Sequence, residues 1–410
     1  FVRARLAQEH EARRLLVEHG APHARETRVE EQLARGPDAR VALGDLRVVG
    51  APPRARPSAR SHTHRQLPRT PSQLWWSERD RSDASFQIGA LFMKIIALLA
   101  LTILAFLLSL AAGKVWINPT DWFSDGASGW IMAELRLPRA ILGCSIGAVL
   151  GLSGAVLQGY LRNPLADPTV VGVSSSAALG GVTAIFLGLT TFPFGLFGSA
   201  MIAGALAMIL LVAMTGRSGG PLGFILAGMV LSTLAGSLTA FLISIAPNPF
   251  AASEIIAWLM GALTDRGMED VERALPFMIV GSAILLGTGR GLDALTLGED
   301  AARTLGFSPT RQRWAIVAGV GLAVGASVAV SGVVGFVGLI VPHFMRSLVS
   351  ERPSALLIPS ALGGAILTLL ADSLVRLTPG AGEVRLGIAM AILGAPFFFI
   401  LLARIRRRAS

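Results

Sequence analysis

Residues 136–181 read RLPRAILGCSIGAVLGLSGAVLQGYLRNPLADPTVVGVSSSAALGG, and this stretch decides the fold. Two arginines, Arg136 and Arg139, lead into an apolar segment of helical length. The polar turn 162–168 separates this segment from a second one rich in small residues. Glycines recur along the first segment at Gly143, Gly147 and Gly151, and Gly154 continues their face. In a lipid-length helix this spacing lets another helix pack backbone to backbone.

Composition places most of the chain in a membrane. Hydrophobic residues make up 52% of the 410 residues and charged residues only 15%, whereas soluble domains carry about 25% charged residues. The net charge of +10 would suit nucleic acid. Much of this excess lies in residues 1–92, however, and the rest lies mostly at the ends of apolar segments, where positive charge sets membrane orientation. We therefore predict an integral membrane protein with no nucleic-acid partner.

Residue types that carry chemistry are scarce. The single cysteine, Cys144, excludes an intramolecular disulfide and a cysteine metal cluster, and in an apolar helix it suits a small packed side chain. The only lysines, Lys94 and Lys114, do not belong to a G-x-x-x-x-G-K-[ST] motif. The chain therefore lacks a P-loop to hold a nucleotide phosphate. We predict no catalytic residue, no metal site and no cofactor bound by this chain.

Apolar runs follow one another from Met93 onward, each about 17 to 25 residues long, which is the length that crosses a bilayer as a helix. We predict about ten spans, although nine also fit because the seventh and eighth are weakly separated at Ser331-Gly332. The predicted ranges are 93–112, 138–160, 169–188, 195–215, 222–245, 273–289, 313–331, 334–349, 355–376 and 386–404.

Charge bias predicts the orientation. With the N-terminus inside, the inner ends collect more positive residues than the outer ends, including Arg162, Arg290 and the tail Arg404–Arg408. Positive charge marks the cytoplasmic side of membrane proteins. Both termini are therefore predicted to be cytoplasmic, which requires an even number of spans.

The first 92 residues form a separate region in this interpretation. They are rich in Arg, Pro, Ala and Glu and cannot bury a core. Met93 stands directly before the first apolar run. We predict that 1–92 is a disordered or weakly helical extension without a transport role, and that 93–410 is the membrane domain. A regulatory tail is the alternative.

A second apolar block covers residues 331–346, SGVVGFVGLIVPHFMR. Gly335 and Gly338 permit close helix contact, and Pro342 leaves a backbone carbonyl that neighbouring groups must satisfy. His343 is the only histidine of the membrane part. It could ligate heme iron, but at the end of a span we prefer a structural, hydrogen-bonded role.

Residues 297–307, LGEDAARTLGF, form a polar block between two spans. The pattern predicts a short amphipathic helix with Ala301, Ala302 and Leu305 on one side, ended by Gly306 as a C-cap glycine. Such a helix could be an ordinary connector.

The last block combines ADSLVR at 371–376 with GEVRLGI at 382–388 and GAPFF at 394–398. Asp372 could be a proton-relay carboxylate of an ion-driven transporter. Pairing with a nearby arginine is the interpretation that we prefer.

Together these blocks resemble the FecCD-type permeases, the membrane subunits of ABC importers that take up iron-siderophores, heme and vitamin B12. The resemblance covers about residues 93–406, and block 331–346 is similar to the family signature G-x-I-x-F-V-G-L-I-V-P-H-x-x-R. Where the family shows E-L-P-V-G-I this chain has E-V-R-L-G-I, so a helix start loses its proline and gains Arg385. The signature and packing positions are Gly143, Gly147, Gly151, Gln158, Asn163, Pro164, Gly335, Gly338, Pro342 and His343.

The resemblance implies an all-α, polytopic type II ABC importer permease fold. It also implies that the helix within 297–307 docks into a groove on a separate ATPase and transmits its closure. The residues that would carry this coupling are Gly298, Glu299, Ala302, Leu305 and Gly306.

Three arginines match family positions that grip glutamates of a periplasmic binding protein, namely Arg136, Arg139 and Arg376. The guanidinium fork suits this role because it binds carboxylates bidentately and stays charged. Alternatively, the same arginines could snorkel, so that their charged ends reach the membrane interface without a protein partner. Docking is the role that we predict.

The implied assembly holds two copies of this chain, two ATP-binding cassette subunits that bind ATP and Mg, and a periplasmic substrate-binding protein. Its place would be the bacterial inner membrane. Ferric siderophore ranks first as substrate, followed by heme and cobalamin. Two other functions remain open, a secondary transporter driven by protons or sodium and a non-transporting scaffold. Asp372 is the only acidic residue predicted near the interior of a span, and a proton-coupled carrier usually has more of them.

Overall fold

The computed structural model describes residues 71–122, 124–216, 220–378 and 383–409. All regular secondary structure in these residues is helical, which confirms the predicted all-α fold. The α-helices in chain order are α1 (Pro71–Ala111), α2 (Ala127–Ile131), α3 (Leu137–Leu161), α4 (Val173–Phe186), α5 (Gly195–Thr215), α6 (Pro221–Ser244), α7 (Pro249–Leu259), α8 (Met268–Gly287), α9 (Gly289–Thr296), α10 (Glu299–Thr304), α11 (Pro309–Ser331), α12 (Val337–Leu348), α13 (Pro353–Arg376) and α14 (Leu386–Ala409).

Seven helical segments among the described residues are long and apolar enough to cross a membrane. They are Gly89–Ala111, Ala127–Leu161, Gly195–Thr215, Pro221–Ser244, Met268–Thr296, Pro309–Ser331 and Pro353–Arg376. Each remaining predicted span also contains a helix. The apolar helices α4 and α12 are shorter than predicted, whereas α14 covers the whole predicted range 386–404. The sequence analysis did not predict α7, which lies between two spans.

The first helix begins earlier than the predicted span. Its backbone is helical from Pro71, and its apolar part begins at Gly89. Hydrophobicity locates the part of a helix that meets lipid, whereas helical hydrogen bonding continues upstream of it. The prediction made for residues 1–70 lies outside the described residues.

Glycines of α3 place this helix against α12 and α13. A Cβ at Gly147 would overlap the carbonyl oxygen of Gly364, and one at Gly154 would overlap the carbonyl oxygen of Gly338. Gly151 meets the backbone of α13 in the same way. The predicted backbone-to-backbone packing is confirmed at these positions, and it makes α3 the most buried of the candidate spans.

Two predicted contact glycines differ from this pattern. A Cβ at Gly143 would make only ordinary contacts, 3.4 Å from Leu263 Cδ1 and 3.5 Å from Leu369 Cδ2. Gly335 has open space around it, so its predicted close helix contact is wrong. Gly335 lies in the non-helical segment 332–336 between two helices, where no helix face exists to pack.

That segment separates α11 from α12, as the weak break at Ser331-Gly332 predicted. Gly332 and Phe336 have φ values of 70° and 69°, in the left-handed region. The carbonyl oxygen of Ser331 accepts a hydrogen bond from the N–H of Ala262 at 2.8 Å. Non-helical backbone at membrane depth requires such internal partners.

Pro342 of α12 has no N–H, so the carbonyl of Gly338 lacks its helical donor. The side chain of Gln158 supplies one, with Nε2 donating to this oxygen at 3.0 Å. Gln158 Oε1 in turn accepts a hydrogen bond from Arg346 Nη2 at 2.7 Å. The predicted need for a neighbouring donor is confirmed, and Gln158 joins α3 to α12.

The turn after α3 is held by its own polar side chains. Asn163 Oδ1 accepts the N–H of Leu165 at 3.0 Å, directly beside Pro164. Asp167 Oδ1 accepts hydrogen bonds from the N–H and hydroxyl of Thr169, at 2.9 and 2.6 Å. Burial nevertheless raises the pKa of the Asp167 carboxyl above its ordinary value.

Candidate functional site

Residues 289–307 form a polar loop with two short helices, α9 and α10, between α8 and α11. We call this segment the coupling loop, after the role that the resemblance implies for it. Gly298 and Gly306 bracket α10 with φ values of 109° and 86°. Neither glycine has any other atom near its missing Cβ, so conformation and not space requires glycine here.

The end of α10 has the predicted C-cap geometry. The N–H of Phe307 donates to the carbonyl oxygen of Ala302 at 2.9 Å, and the N–H of Gly306 donates to that of Arg303 at 3.0 Å. This pair of bonds around a left-handed glycine satisfies carbonyls that the helix leaves open. The prediction that Gly306 ends the helix is confirmed.

The two faces of α10 differ from the prediction. Ala302 is fully buried, but the side chains of Leu305 and Leu297 are exposed, at 58% and 69% respectively. The expectation that Leu305 lies on the same side as Ala302 is wrong, because α10 ends at Thr304 and the chain turns away at the glycine that follows. An apolar pair, Leu297 and Leu305, therefore faces out of the protein on either side of α10.

Charged residues stiffen the same short helix. Arg303 Nη1 lies 2.7 Å from Asp300 Oδ1, and Arg303 Nη2 lies 3.2 Å from Glu299 Oε2. These pairs are exposed and contribute little stability individually. They hold the Glu299 side chain along the helix.

A cavity of ≈ 710 Å³ opens beside the coupling loop. It lies between this loop and the start of α13, and its lining mixes charged and apolar side chains. The lining residues that come from both elements include Arg290, Leu297, Leu305, Phe307, Glu351 and Arg352.

Asp293 of α9 ties the coupling loop to α13, a link that the sequence analysis missed. Its Oδ1 accepts the N–H of Ser354 at 2.9 Å, and its Oδ2 accepts the Ser354 hydroxyl at 2.6 Å. Arg352 Nε donates to the same Oδ2 at 2.8 Å. Asp293 therefore caps a helix whose own sequence begins with Pro353 and offers no side-chain cap. The arginine, proline and serine at this helix start were the only local signal.

Arg162 makes a second link to the coupling loop. Its Nη2 donates to the backbone carbonyl of Leu295, and Arg162 itself ends α3 in a left-handed conformation. The coupling loop is thus joined to two of the most buried spans.

The other end of α13 carries a cluster of charged residues. A helix of 24 residues is about 36 Å long, so this cluster lies far from Asp293. Arg139 binds Asp372 bidentately, with Nε 3.0 Å from Oδ2 and Nη2 2.9 Å from Oδ1. Its Nη1 donates to Glu383 Oε2 at 2.9 Å. Arg376 Nε also lies 3.1 Å from Asp372 Oδ2.

Two arginines of this region donate hydrogen bonds to the backbone carbonyls at the C-terminal end of α1. Arg136 Nη1 donates to the carbonyl oxygens of Leu110 and Ala111, at 2.9 and 3.1 Å. Arg376 Nη1 donates to that of Ala112 at 3.0 Å. The last carbonyls of a helix have no helical donor, so these guanidinium groups act as its cap.

The three predicted docking arginines all make internal contacts at this end of the bundle. Arg136, Arg139 and Arg376 are only 6%, 9% and 4% exposed. In this structure they hold α1, α3 and α13 together, and their docking role stays a prediction. The preferred pairing of Asp372 with an arginine is confirmed.

Glu383 belongs to the connection before α14, outside the spans. Burial alone would raise the pKa of its carboxyl, but the Arg139 charge and hydrogen bonds from Arg139 and Thr264 lower it in sum. Thr264 donates its hydroxyl to Glu383 Oε2 at 3.0 Å. The carboxylate therefore joins three separate parts of the chain.

The part of the chain that the structure describes offers no cluster of metal ligands. Within it, no group of three or more His, Cys, Asp or Glu side chains could hold a metal ion. The His343 ring packs edge-on against Phe397, with ring centroids 5.8 Å apart.

The sequence model of the FecCD transport family matches residues 101–404, which is most of the chain. The chain belongs to the FecCD transport family. The predicted resemblance is thus confirmed, and a multi-pass membrane protein agrees with it.

Relatives with curated names cover most of this FecCD member. It is 40% identical over 274 residues to the cobalamin import system permease protein BtuC of Halobacterium salinarum, covering 66% of this chain and 73% of that protein. It is 37% identical over 288 residues to the Fe(3+) dicitrate transport system permease protein FecD of Escherichia coli, covering 70% of this chain and 89% of that protein.

A solved structure shares the fold. It is a metal-chelate type ABC transporter in an inward-facing conformation, similar with a TM-score of 0.71 and 34% sequence identity. The match covers 76% of this chain and 99% of that one. The predicted permease fold is confirmed.

Proposed function

We propose that this chain is the membrane-spanning permease subunit of an ATP-driven importer. In this role it moves a metal chelate from a periplasmic binding protein to the cytoplasm. Ferric siderophore is our first choice of substrate, followed by heme and cobalamin. The names of the relatives, which include cobalamin and iron dicitrate permeases, support a metal chelate as the class.

The observation that carries the proposal is the geometry of the coupling loop. Its helix α10 is fixed between two left-handed glycines, Gly298 and Gly306. Leu297 and Leu305 expose apolar surface beside a ≈ 710 Å³ cavity. A contiguous exposed apolar patch with a polar rim marks a protein interaction site. Because the sequence holds no P-loop, we infer that the partner at this surface is a separate ATPase.

Movement of the loop has a direct route into the bundle. Asp293 connects the loop to the start of α13 through Ser354 and Arg352. The far end of α13 is fixed by the charge cluster around Asp372. A packed helix moves as a rigid body, so a shift at one end reaches the other. We infer that closure of the ATPase changes the helix arrangement along this route.

The assembly that fits this mechanism contains two copies of the chain, two ATP-binding cassette subunits and a periplasmic binding protein. ATP and Mg bind to the ATPase subunits. We place the permease in the bacterial inner membrane with both termini and the coupling loop cytoplasmic, as the positive charge of Arg162, Arg290 and the C-terminal tail supports. The charge cluster of α13 then lies at the outer end.

An ion-gradient-driven transporter is the alternative. Its best candidate for a proton relay, Asp372, is bound by Arg139 and Arg376. Arginines thus hold both of its carboxylate oxygens inside the bundle, which favours a structural role over a proton relay.

The experiment is to purify the tagged full chain from its own host membranes and to identify the proteins that accompany it by mass spectrometry. We expect an ATPase chain with a G-x-x-x-x-G-K-[ST] motif in about equal amount. Leu305→Glu should release this chain while the permease stays folded, because a charge replaces the exposed apolar contact. Phe192→Glu, an equally exposed apolar position outside the coupling loop, is the control. Recovery of the permease without any ATPase would contradict the proposal.

A further inference from the structure

A cavity with two arginines lies beside the charge cluster of α13. It has a volume of ≈ 220 Å³. Thr264 lines it and donates its hydroxyl to Glu383, which places the cavity at the end of the protein opposite the coupling loop. We call it the Arg266–Arg385 cavity. Its main polar lining residues are Glu254, Thr264, Asp265, Arg266, Ser331 and Arg385.

Hydrogen-bond donors in this cavity lack acceptors. The Nε of Arg266 and the indole Nε1 of Trp258 are buried and have no partner among the described residues. The side chain of Arg385 likewise makes no hydrogen bond or ion pair within the described part of the chain. Buried donors in native proteins are rarely left unpaired, so an acceptor from outside the chain fits here.

The acidic residues of the lining do not fill this need. Glu254 and Asp265 are exposed to solvent and lie beyond ion-pair distance of both cavity arginines. By contrast, Arg273 in an adjoining cavity of ≈ 500 Å³ pairs with Glu269 and Asp270. Arg266 lines both cavities, whereas Arg385 lines the smaller one, so the smaller cavity is where the two arginines come together.

Arginine selects a particular kind of acceptor. Its planar fork matches the two oxygens of a carboxylate, and the charged hydrogen bonds that result are stronger than neutral ones. An indole N–H beside it adds a neutral donor to the same ligand.

We propose that the Arg266–Arg385 cavity binds a carboxylate group of the transported chelate, which makes this permease selective for carboxylate-bearing chelates. This inference rests on the proposed transport function. A ligand in the cavity lies next to Thr264 and so contacts the hydrogen-bond chain that leads through Glu383 to Arg139.

The test is equilibrium dialysis of radiolabelled citrate against the full chain in lipid nanodiscs. Citrate carries the proposed carboxylates, and triethyl citrate has the same skeleton without charge. We expect citrate to bind, ferric dicitrate to compete and triethyl citrate not to compete. Arg266→Gln and Arg385→Gln should each weaken citrate binding about tenfold or more, since each removes a charged hydrogen bond. Arg311→Gln removes the same charge from an exposed site elsewhere and should leave affinity unchanged.

Equal competition by triethyl citrate, or unchanged affinity in both variants, would overturn the inference. If Arg266→Gln fails to fold, Arg385→Gln decides, because this side chain is only half-buried. The dialysis needs no ATPase. Intact citrate binding without a co-purifying ATPase would therefore count against the proposed function alone, and the reverse result would count against the cavity alone.

Discussion

Arg139 binds two acidic residues, Asp372 and Glu383, that lie 233 and 244 positions later in the sequence. It lies 2.9 Å from both Asp372 and Glu383. Breaking a buried ion pair from one side leaves an uncompensated charge, which costs about 3–5 kcal/mol. The same residues, exposed at a docking surface, would cost little to replace.

We expect Asp372→Asn and Arg139→Gln each to lower the free energy of unfolding by about 3–5 kcal/mol. The double variant should be less destabilised than the sum of the two, by about 1–3 kcal/mol, because the residues are in direct contact. Denaturant unfolding in detergent, followed by circular dichroism, measures all three. Additive effects would show that the two side chains are not paired.

At the scale of the helices, the glycine ladder of α3 sets how closely α13 can approach. A Cβ at Gly151 would meet the carbonyl of Ser360 and lie 3.2 Å from the Cα of Gly364. Backbone atoms cannot move aside as a flexible side chain can. The ladder therefore acts through shape rather than through hydrophobicity.

Gly151→Ala should lower the thermal midpoint in detergent, since overpacking of a tight contact costs about 1–3 kcal/mol. Gly143→Ala is the matched control on the same helix, because its new methyl group would lie 3.4 Å from a flexible leucine. We expect a much smaller change for this control. Equal effects at both positions would mean that helix propensity, and not contact with α13, governs the ladder.

Most helices could be predicted from the sequence because apolar runs of lipid length stand out against polar turns. The breaks at Ser331-Gly332 and at Gly306 were also predicted, since glycine supplies the left-handed backbone that both require. The short helix α7 was not, because an 11-residue apolar stretch lacks the length that marks a span.

The charged residues show where sequence reasoning ends. The type and order of Arg139, Asp372 and Glu383 were visible, and a pairing of Asp372 was expected. Whether an arginine near a helix end points outward or inward depends on how helices pack, however, and the sequence does not show that packing. Asp293 was missed for the same reason, because its partners come from a distant helix start.

At the scale of the whole molecule, α13 connects the two ends of the bundle. Its first turn is capped by Asp293 of the coupling loop, and its last turn carries Asp372 and Arg376. Loss of a cap of this kind costs about 1 kcal/mol. A small loss of stability should therefore accompany a larger loss of coupling.

We expect Asp293→Ala to lower chelate uptake per ATP hydrolysed while the complex still assembles, because α13 no longer follows the loop. Asp293→Asn keeps an acceptor for the Ser354 N–H and should have a milder effect. Glu134→Gln, at an exposed acid outside the coupling loop, is the control. Uptake and hydrolysis measured together in proteoliposomes give the ratio, and an unchanged ratio in Asp293→Ala would remove this link from the mechanism.

The most direct test of the account is uptake by the reconstituted complex, using the chelate whose uptake by cells depends on this chain. ATP inside the vesicles should drive uptake by the unaltered protein, and a proton or sodium gradient without ATP should not. Gly306→Val should abolish most of this uptake without dissociating the ATPase, because a β-branched residue cannot adopt a φ of 86° without strain. Gly287→Ala, at a glycine with open space and ordinary backbone, should transport normally. Full uptake by Gly306→Val, or uptake driven by an ion gradient alone, would contradict the claim that the coupling loop transmits the work of a separate ATPase.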